Sequence, residues 1–420
     1  MSHYKPYPKY KDSGVEWLGE VPEHWKVRPV KHLYNARLGK MVQPQQKSDG
    51  EILVPYHRAQ TVQWERVEYD QVERMWANPA EVVAYSLEEG DLLICEGGDV
   101  CRAAVFNQVE HERVIFQNSI HRVRSVDGNH PEWLLRLMQH VRSSGWIDVL
   151  CNKNTIVHFT SEKLASLECP HPPPAEQAKI LSTLRRETIR IDALIAKKTR
   201  FIELLKEKRQ ALITHAVTKG LDPNVKMKDS GVEWIGEVPE HWCTGILKRF
   251  IVFQRGHDLP SESRVDGSVS VVSSGGYYGT HNVAVAKAPG IVTGRYGSLG
   301  QFTFVQEDYW PLNTALYSIE LYDNAPRFIW YLLQNISSLF LLYSAKAAVP
   351  GIDRTDIHEI CVAAPLRDEQ EQIAEYLDKQ LERIDAIMAK TEHSIDLLKK
   401  RRSAFITAAV TGQIDLREPA

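Results

Sequence analysis

Polar, basic and aromatic side chains that could contact bases or phosphates cluster in several loop-like segments. One cluster precedes a long helical pattern and comprises Asn152, Lys153, Asn154 and Thr155. A second lies within 273–282 and includes Tyr277, Tyr278 and His281. Further candidates are Arg102, Arg295, Tyr296, Lys346 and Arg354. Because Arg, Lys, Asn and Gln can pair bidentately with base edges, the clustering predicts a nucleic-acid-binding surface. For any single residue, ordinary solvation of a loop remains the alternative.

Motifs for catalysis are missing from the sequence. Residues 39–41 read Gly-Lys-Met, so no phosphate-binding Gly-x-x-x-x-Gly-Lys-Ser/Thr loop is present, and His-Glu-x-x-His does not occur. The glycines at 294, 297 and 300 have the wrong spacing for a dinucleotide loop, and the prolines at 172–174 lack the preceding Asn or Asp of an amino-methyltransferase motif. The 16 histidines include no pair at metal-binding helical spacing. We therefore expect a binding protein without an active site, metal or cofactor of its own.

Composition indicates a folded protein that is not a polycation. The chain has 420 residues, 43% of them apolar and 25% charged, with a net charge of −3. Any positive surface for nucleic acid must therefore be segregated or shared with partners. The first ten residues lack the apolar core of a secretory signal, and the most apolar stretch, 328–343, is interrupted by polar residues. With no Cys-x-x-Cys pair among six cysteines, we expect a reduced, cytoplasmic protein without membrane association.

The chain contains an internal repeat. Residues 9–25 (KYKDSGVEWLGEVPEHW) and 226–242 (KMKDSGVEWIGEVPEHW) are identical at fifteen of seventeen positions, at an offset of 217. The segments beginning at Glu176 and Glu369 also match, at an offset of 193, and Asn118-Ser119 matches Asn313-Thr314 at 195. The length difference therefore lies almost entirely in 26–117 against 243–312, where the two copies look unrelated. A duplicated scaffold with one variable segment per copy is expected of a protein that reads two different targets.

Each copy ends in a long amphipathic pattern. The apolar positions step by three and four, which predicts two helices of about 40 residues, each roughly 60 Å long. The positions assigned to their contact and to partner docking are Ile180, Leu184, Ile191, Leu194, Leu205, Ile373, Leu377, Ile384, Ile387 and Leu398. The length of each helix exceeds the diameter of a domain of about 150 residues, so a helix could not be covered by its own domain alone. We therefore expect the two helices to pack antiparallel about a pseudo-twofold axis, as a coiled-coil stem. Packing of each helix on its own domain is the alternative.

The remaining sequence predicts two α/β (α+β) domains with small, strongly bent sheets. Short β-type runs at 91–94 and 290–293 precede glycine-marked turns, and late helices are expected at about 131–143 and 326–340. The predicted division is residues 1–171 (head 1), 172–222 (first long helix), 223–364 (head 2) and 365–420 (second long helix).

Several phrases resemble the specificity subunit of type I restriction–modification enzymes. They are SGVEWLGEVPEHW and its second version, the strand and turn at 293–300, Asn-Ser/Thr at 118 and 313, and Pro-Pro-x-x-Glu-Gln leading into each long helix. In copy two this last phrase is varied to Pro-Leu-Arg-Asp-Glu-Gln at 365–370. The resemblance covers nearly the whole chain, in the order recognition domain, helix, recognition domain, helix. Copy one departs from it at Glu96 and Cys101, where the family pattern has arginine and glycine, which puts a phosphate contact there in doubt.

The resemblance implies that each head reads one half of a bipartite, asymmetric DNA target. The helices would set the spacer and dock two methylation subunits, which carry S-adenosylmethionine. Restriction subunits would add ATP- and Mg-dependent translocation and cleavage. The specificity subunit itself would be non-catalytic. Two alternatives from the residues alone are a coiled-coil interaction scaffold and a stand-alone DNA-binding regulator.

Overall fold

The computed structural model describes residues 4–107, 112–151, 158–295, 298–344 and 354–417. The chain divides into two compact units. Unit 1 consists of residues 1–197 with 394–420, and unit 2 consists of 198–393. Each unit therefore combines one head with part of each long helix.

Head 1 and the first long helix are built from short strands and helices. Their bounds are β1 (Tyr10–Asp12), β2 (Glu20–Pro22), β3 (Lys26–Pro29), β4 (Tyr34–Leu38), β5 (Ile52–His57), β6 (Val62–Gln63), β7 (Arg66–Val67), β8 (Glu73–Ala77), α1 (Pro79–Tyr85), β9 (Leu92–Cys95), β10 (Ala103–Val105), β11 (Ile115–Phe116), β12 (Ile120–Ser125), α2 (Pro131–Ser143), α3 (Trp146–Leu150), α4 (Ser161–Ser166), β13 (Glu168–His171) and α5 (Pro174–Lys219).

Head 2 and the second long helix follow in the same order. Their bounds are β14 (Met227–Asp229), β15 (Glu237–Pro239), β16 (Cys243–Ile246), β17 (Val252–Arg255), β18 (Val269–Ser273), β19 (Gly276–His281), β20 (Gly290–Gly294), β21 (Phe302–Val305), β22 (Tyr309–Pro311), β23 (Ala315–Glu320), α6 (Pro326–Asn335), α7 (Ser337–Ser344), α8 (Arg354–His358), β24 (Cys361–Ala364) and α9 (Arg367–Val410). The late helix of head 2 thus ends at Asn335 and a new helix begins at Ser337, whereas the sequence pattern predicted one helix through 340.

The two main sheets have the same topology in both heads. A four-stranded antiparallel sheet has the order β10-β9-β12-β4 in head 1 and β21-β20-β23-β17 in head 2. A three-stranded sheet has the order β11-β5-β8 or β22-β18-β19, with one parallel and one antiparallel pair. The mixed fold with small sheets is confirmed, and the duplication extends through segments whose sequences look unrelated.

Strand β9 shows why these sheets form in the interior of head 1. Side chains of a strand alternate between its two faces. Leu92 and Ile94 belong to the main core of unit 1, whereas Leu93 and Cys95 belong to a second core on the other face. A strand that is covered on both faces reads as a continuous apolar run, which is the pattern at 92–95.

The repeated Glu-His-Trp and Glu-Gln phrases join each head to the start of its long helix. The Trp25 indole Nε1 donates to Glu176 Oε1 at 3.0 Å, and the Trp242 indole Nε1 donates to Glu369 Oε1 at 3.1 Å. Both indoles are almost fully buried. A buried donor needs a partner, so the helix-start carboxylate and the tryptophan occur together in both copies.

The long helices run antiparallel within each unit. In unit 1, Ile180 and Leu184 of α5 share a core with Phe405 of α9, and Arg402 Nε donates to Asp192 Oδ1 at 2.9 Å. Residue numbers therefore rise on α5 as they fall on α9.

Unit 2 repeats this arrangement with the roles of the helices exchanged. Ile213 of α5 shares a core with Leu377 of α9, and Arg209 Nε lies 3.5 Å from Asp385 Oδ1. The antiparallel pairing of the stem helices is thus confirmed within each unit.

Most of the predicted stem residues are buried, but not all. Seven are less than 10% exposed: Ile180, Leu184, Ile191, Leu205, Ile373, Leu377 and Ile384. The prediction that Leu194 and Ile387 pack in the seam was wrong, since they are 43% and 44% exposed, and Leu398 is half-buried. A helix has 3.6 residues per turn, so a seam written with a seven-residue repeat drifts off the contact face. The buried face of α5 passes through Thr188 and Ile202 instead.

Candidate nucleic-acid interface

The predicted binding residues divide into those that the structure describes and those that it does not. Asn152, Lys153, Asn154, Thr155, Tyr296 and Lys346 lie outside the described residues. Arg102, Tyr277, Tyr278, His281, Arg295 and Arg354 are described. Arg354 is exposed at the first position of α8.

Head 2 presents two neighbouring tyrosines on strand β19. Tyr277 and Tyr278 are 61% and 60% exposed, and the guanidinium of Arg264 lies over the Tyr278 ring at 4.8 Å from its centroid. Large aromatic side chains normally bury most of their area, so an exposed pair beside a cation is an unusual surface. It offers stacking area and positive charge, the two features that nucleic acid binds.

Four loop segments of head 2 meet next to these tyrosines. The Ser274 amide, in the turn between β18 and β19, donates to Thr314 Oγ1 at 3.4 Å. The Arg295 amide, after β20, donates to the Thr314 carbonyl at 3.0 Å. The Asn313 side-chain amide donates to Asp258 Oδ1. The structure therefore brings Arg295, the hairpin and the Asn-Thr phrase together, as one candidate surface.

A pair of equivalent glycines holds the Asn-Ser/Thr turn in both heads. A Cβ at Gly256 would lie 2.2 Å from the Leu312 carbonyl oxygen, and a Cβ at Gly39 would lie 2.2 Å from the Gln117 carbonyl oxygen. Only glycine allows so close an approach of two backbones. The amides of both glycines donate across this contact, to Ala315 and Ile120 respectively.

Two of the predicted binding residues have structural roles instead. His281 is 6% exposed, its ring packs edge-on against Trp310 at 5.1 Å, and its Nδ1 accepts from the Val265 amide. Arg102 donates from Nη2 to the Ala59 carbonyl at 2.6 Å and its side chain is only 17% exposed. The prediction that these two contact DNA was wrong, because both side chains are largely buried and hydrogen-bonded within the fold.

The corresponding surface of head 1 has different chemistry on the same backbone. The Glu96 amide donates to the Ser119 carbonyl at 2.9 Å, as the Arg295 amide does to Thr314. A carboxylate thus replaces the guanidinium at this turn. Lys40, next to Gly39, is buried and its Nζ lies 2.6 Å from Glu81 Oε1.

Buried histidines of head 1 add no positive charge near neutral pH. Burial lowers the pKa of His57 to about 4, and its Nδ1 lies 3.0 Å from Thr61 Oγ1. Burial likewise lowers the pKa of His121, whose Nε2 lies 2.9 Å from the Phe159 carbonyl oxygen. Both rings are therefore neutral members of the fold.

Sequence reasoning missed Asp258 and Arg264, which line the same surface of head 2 as Asn313. They lie in the variable segment, where the sequences of the two copies do not match, and they carry no motif, so spacing alone gave no signal for them. Among the described residues, no group of three His, Cys, Asp or Glu side chains could hold a metal ion. No helix within the described ranges has the length and apolarity to cross a membrane.

Comparison with known proteins gives one consistent result. The family described as type I restriction modification DNA specificity domain matches residues 22–204 and 251–396. The chain is 23% identical over 428 residues to a putative type I restriction enzyme MjaX specificity subunit of Methanocaldococcus jannaschii, covering 95% of this chain and 96% of that protein. It is 32% identical over 87 residues to the EcoDI specificity subunit of Escherichia coli, covering 21% and 20%.

Solved structures show the same fold. One, from work on complex assembly and conformational transition of the type I R-M system, superposes with a TM-score of 0.75 at 13% identity, covering 93% of this chain and 98% of that one. The HsdS subunit from Thermoanaerobacter tengcongensis superposes with a TM-score of 0.54 at 12% identity, covering 94% and 98%. With two matched domains that span most of its length, the chain belongs to the type I restriction–modification DNA specificity family.

Proposed function

We propose that head 1 and head 2 each read one half of a bipartite, asymmetric DNA target. The chain is a specificity subunit, which is the non-catalytic component of a type I system. The observation that carries the proposal is a shared sheet topology with different side chains at equivalent loops. Arg295 in head 2 corresponds to Glu96 in head 1. Two identical frames with different contact groups suit the reading of two different sequences.

We further propose that the stem helices dock two methylation subunits. In unit 1, α5 exposes Leu194 and α9 exposes Leu397. In unit 2, α9 exposes Ile387 and α5 exposes Leu204. These are matching positions at the repeat offset of 193, so each unit offers an equivalent apolar pair. Exposed apolar side chains in a paired arrangement favour a protein partner.

The same proposal assigns the chemistry to the partners. S-adenosylmethionine would be bound by the methylation subunits, and ATP with Mg by restriction subunits, in the cytoplasm. This chain would contribute DNA recognition and the spacing between the half-sites.

Exchange of one variable segment tests the two-reader proposal. The chain is co-expressed with its methylation subunit, and methylated adenines are mapped across the host genome. Replacement of residues 26–117 by the variable segment of another specificity subunit should change one half of the target and leave the other half intact. If both halves change, or neither does, the proposal is wrong.

Lengthening of the stem tests the spacing role. Insertion of four residues, one helical turn, into both α5 and α9 adds about 6 Å of helix. At about 3.4 Å per base pair, the spacer should grow by about 1.5 to 2 base pairs. A spacer of unchanged length in the methylation map would contradict the role of the helices as a ruler.

Charge placed on the exposed apolar pair tests docking. Leu194→Glu should lower the number of bound methylation subunits from two to one, measured by native mass spectrometry, and Ile387→Glu should do the same. Val149→Glu is the matched control, because Val149 is a 60% exposed apolar residue on α3 of head 1 and not on a stem helix. Two bound subunits in both stem variants would contradict docking at these positions.

A further inference from the structure

A cavity of about 510 Å³ opens in head 2 beside the hairpin of β18 and β19. Its wall includes Asp258, Arg264, Tyr278 and Asn313. Asn313 belongs to the repeated Asn-Ser/Thr turn, so the cavity lies at a position that the duplicated backbone fixes. Its volume falls in the range of cavities that bind small chemical groups.

The charged groups in this cavity are not paired with each other. Within the described residues, no ion pair joins Asp258 to Arg264, and the buried Nε of Arg264 has no hydrogen-bond partner. The guanidinium is held in place by the Tyr278 ring, at 4.8 Å. Asp258 accepts from the Asn313 amide through one carboxylate oxygen. A guanidinium and a carboxylate that line one cavity without pairing leave the guanidinium and the second carboxylate oxygen to a ligand that carries acceptors and a donor.

The second carboxylate oxygen and the guanidinium define what that ligand must offer. It must present a hydrogen-bond donor to Asp258 and, close by, acceptors to Arg264. In the major groove, a C·G base pair shows the cytosine N4 amino group next to guanine O6 and N7. Arginine pairs bidentately with guanine O6 and N7, and aspartate accepts from cytosine N4. An A·T pair offers no two adjacent acceptors on one base for a guanidinium.

We propose that head 2 reads one C·G base pair of its half-site through this cavity. Asp258 accepts from cytosine N4, and Arg264 donates to guanine O6 and N7. Tyr278 fixes the plane of the guanidinium, and Asn313 fixes the carboxylate. The inference rests on the proposed reading of one half-site by each head.

Head 1 does not carry the same pair of groups. The residue that follows Gly39 and Lys40 is Met41, at the position that Asp258 occupies after Gly256. Met41 is 74% exposed and has no carboxylate. The assignment therefore applies to head 2 alone and contributes to the asymmetry of the target.

Variants of the two charged residues test the assignment in the complex with the methylation subunit. Methylated adenines are mapped for the wild type, Asp258→Ala and Arg264→Ala. The half-site of head 2 is the half that changes when residues 243–312 are exchanged. We expect one C·G position in that half, and a loss of discrimination there of about 10-fold to 100-fold in either variant. The other half-site should not change.

The matched control is Asp266→Asn. Asp266 is exposed on the same loop, outside the cavity wall, and should leave both half-sites as in the wild type. If either variant folds poorly, a change in the DNA gives an independent measurement. Replacement of the guanine by 7-deazaguanine removes N7, so it should weaken binding of the wild-type complex by about 10-fold. It should have little effect in Arg264→Ala.

The outcomes separate the two levels of inference. A wild-type half-site of head 2 without a C·G pair, or variants that keep full discrimination, would overturn the assignment while the two-reader function stands. Uniform weakening on all sequences, with a shallower salt dependence, would mark Arg264 as a phosphate contact and would also overturn it. A wild-type complex without any bipartite methylation pattern would instead refute the proposed function.

Discussion

The carboxylate of Glu176 is the buried acceptor that joins head 1 to the start of α5. It is 8% exposed. Its Oε1 accepts from Trp25 Nε1 at 3.0 Å and from the Tyr7 hydroxyl at 2.9 Å. Its Oε2 lies 2.9 Å from His24 Nε2. Burial, together with the charge of Glu176, raises the pKa of the Tyr7 hydroxyl, which therefore remains a protonated donor.

We expect Glu176→Ala to destabilise unit 1 strongly. The substitution leaves the donors of Trp25 and Tyr7 buried without a partner, since both residues are at most 3% exposed. Each buried unsatisfied donor costs about 1 to 3 kcal/mol. For the two donors the sum is about 2 to 6 kcal/mol, whereas His24, which is partly exposed, can rebind water.

Glu369→Ala in unit 2 is the matched comparison. Glu369 accepts from the buried Trp242, and its other partner, His241, is about half exposed. Copy two has Asn224 at the position of Tyr7, and Asn224 is exposed. Only one buried donor is lost, so the expected cost is about 1 to 2 kcal/mol.

Hydrogen exchange of the full chain measures the two effects separately. Backbone protection of the segment around β3 should fall by about 100-fold in Glu176→Ala, since each 1.4 kcal/mol is a factor of ten. Protection around β16 should fall by only about 10-fold in Glu369→Ala. Tyr7→Phe in the Glu176→Ala background should restore part of the loss, because it removes one of the orphaned donors. Equal losses in the two units, or no rescue by Tyr7→Phe, would refute the role assigned to the buried donors.

Three other substitutions have defined outcomes. Gly256→Ala should destabilise head 2 by several kcal/mol in urea unfolding, because the added Cβ would lie 2.2 Å from a carbonyl oxygen. Gly275→Ala is the control and should change the stability little, because the nearest atom to its Cβ would be 3.9 Å away. Equal effects of the two substitutions would contradict the requirement for glycine at position 256. Burial raises the pKa of Glu65, but the charges of Arg136 and Arg402 outweigh burial and hold that pKa below its ordinary value. The stabilisation from these ion pairs is therefore present at pH 7 and lost as the pH falls through the lowered pKa. Glu65→Gln should flatten the acid side of a curve of stability against pH, and an unchanged acid side would contradict the ion pairs. Arg185→Asp should cost a few tenths of a kcal/mol, because an aspartate there would face Glu132, now 2.5 Å from Arg185. Arg185→Lys, which keeps the positive charge, should cost less in the same thermal unfolding assay, and equal costs would contradict the ion pair.

The duplication was predictable from the sequence because the residues that match between the two copies make the same buried hydrogen bonds in both. Gln177 Oε1 accepts from the His130 amide, and its Nε2 donates to the Pro172 carbonyl. Gln370 does the same with Ala325 and Pro365. These buried side chains satisfy backbone groups at the junction of head and helix, so their identity is fixed and the phrase is visible in the sequence.

The common topology of the variable segments could not be predicted in the same way. A sheet requires only strands with alternating apolar and polar residues, separated by turns, and many different sequences meet this requirement. The backbone approach at Gly39 and Gly256 recurs, but a single glycine carries no signal. For the same reason, the burial of His281 against Trp310 depends on a contact between distant strands and was not visible in a loop-like run of polar residues.

Part of the extra length of head 1 forms a hairpin that contacts the stem. The offset between equivalent positions falls from 215 (Tyr56 to Val271) to 199 (Cys95 to Gly294), so most of the additional residues lie between β5 and β9. That stretch includes the β6–β7 hairpin, whose Glu65 accepts from Arg402 at 2.5 Å and lies 2.9 Å from Arg136.

In the described part of head 2 no such contact is found, and the counterpart of Arg136 is Tyr331. The Tyr331 hydroxyl donates to Asp378 of α9 at 2.5 Å instead. A variable segment therefore has two roles. Its loops supply the side chains that would contact DNA, and other residues in it contact the stem helices of its own unit. When residues 26–117 are moved onto the frame of head 2, Glu65 would meet Tyr331 in place of a guanidinium. The moved segment should then read its own half-site with reduced stability, and a Tyr331→Arg change should recover part of that loss.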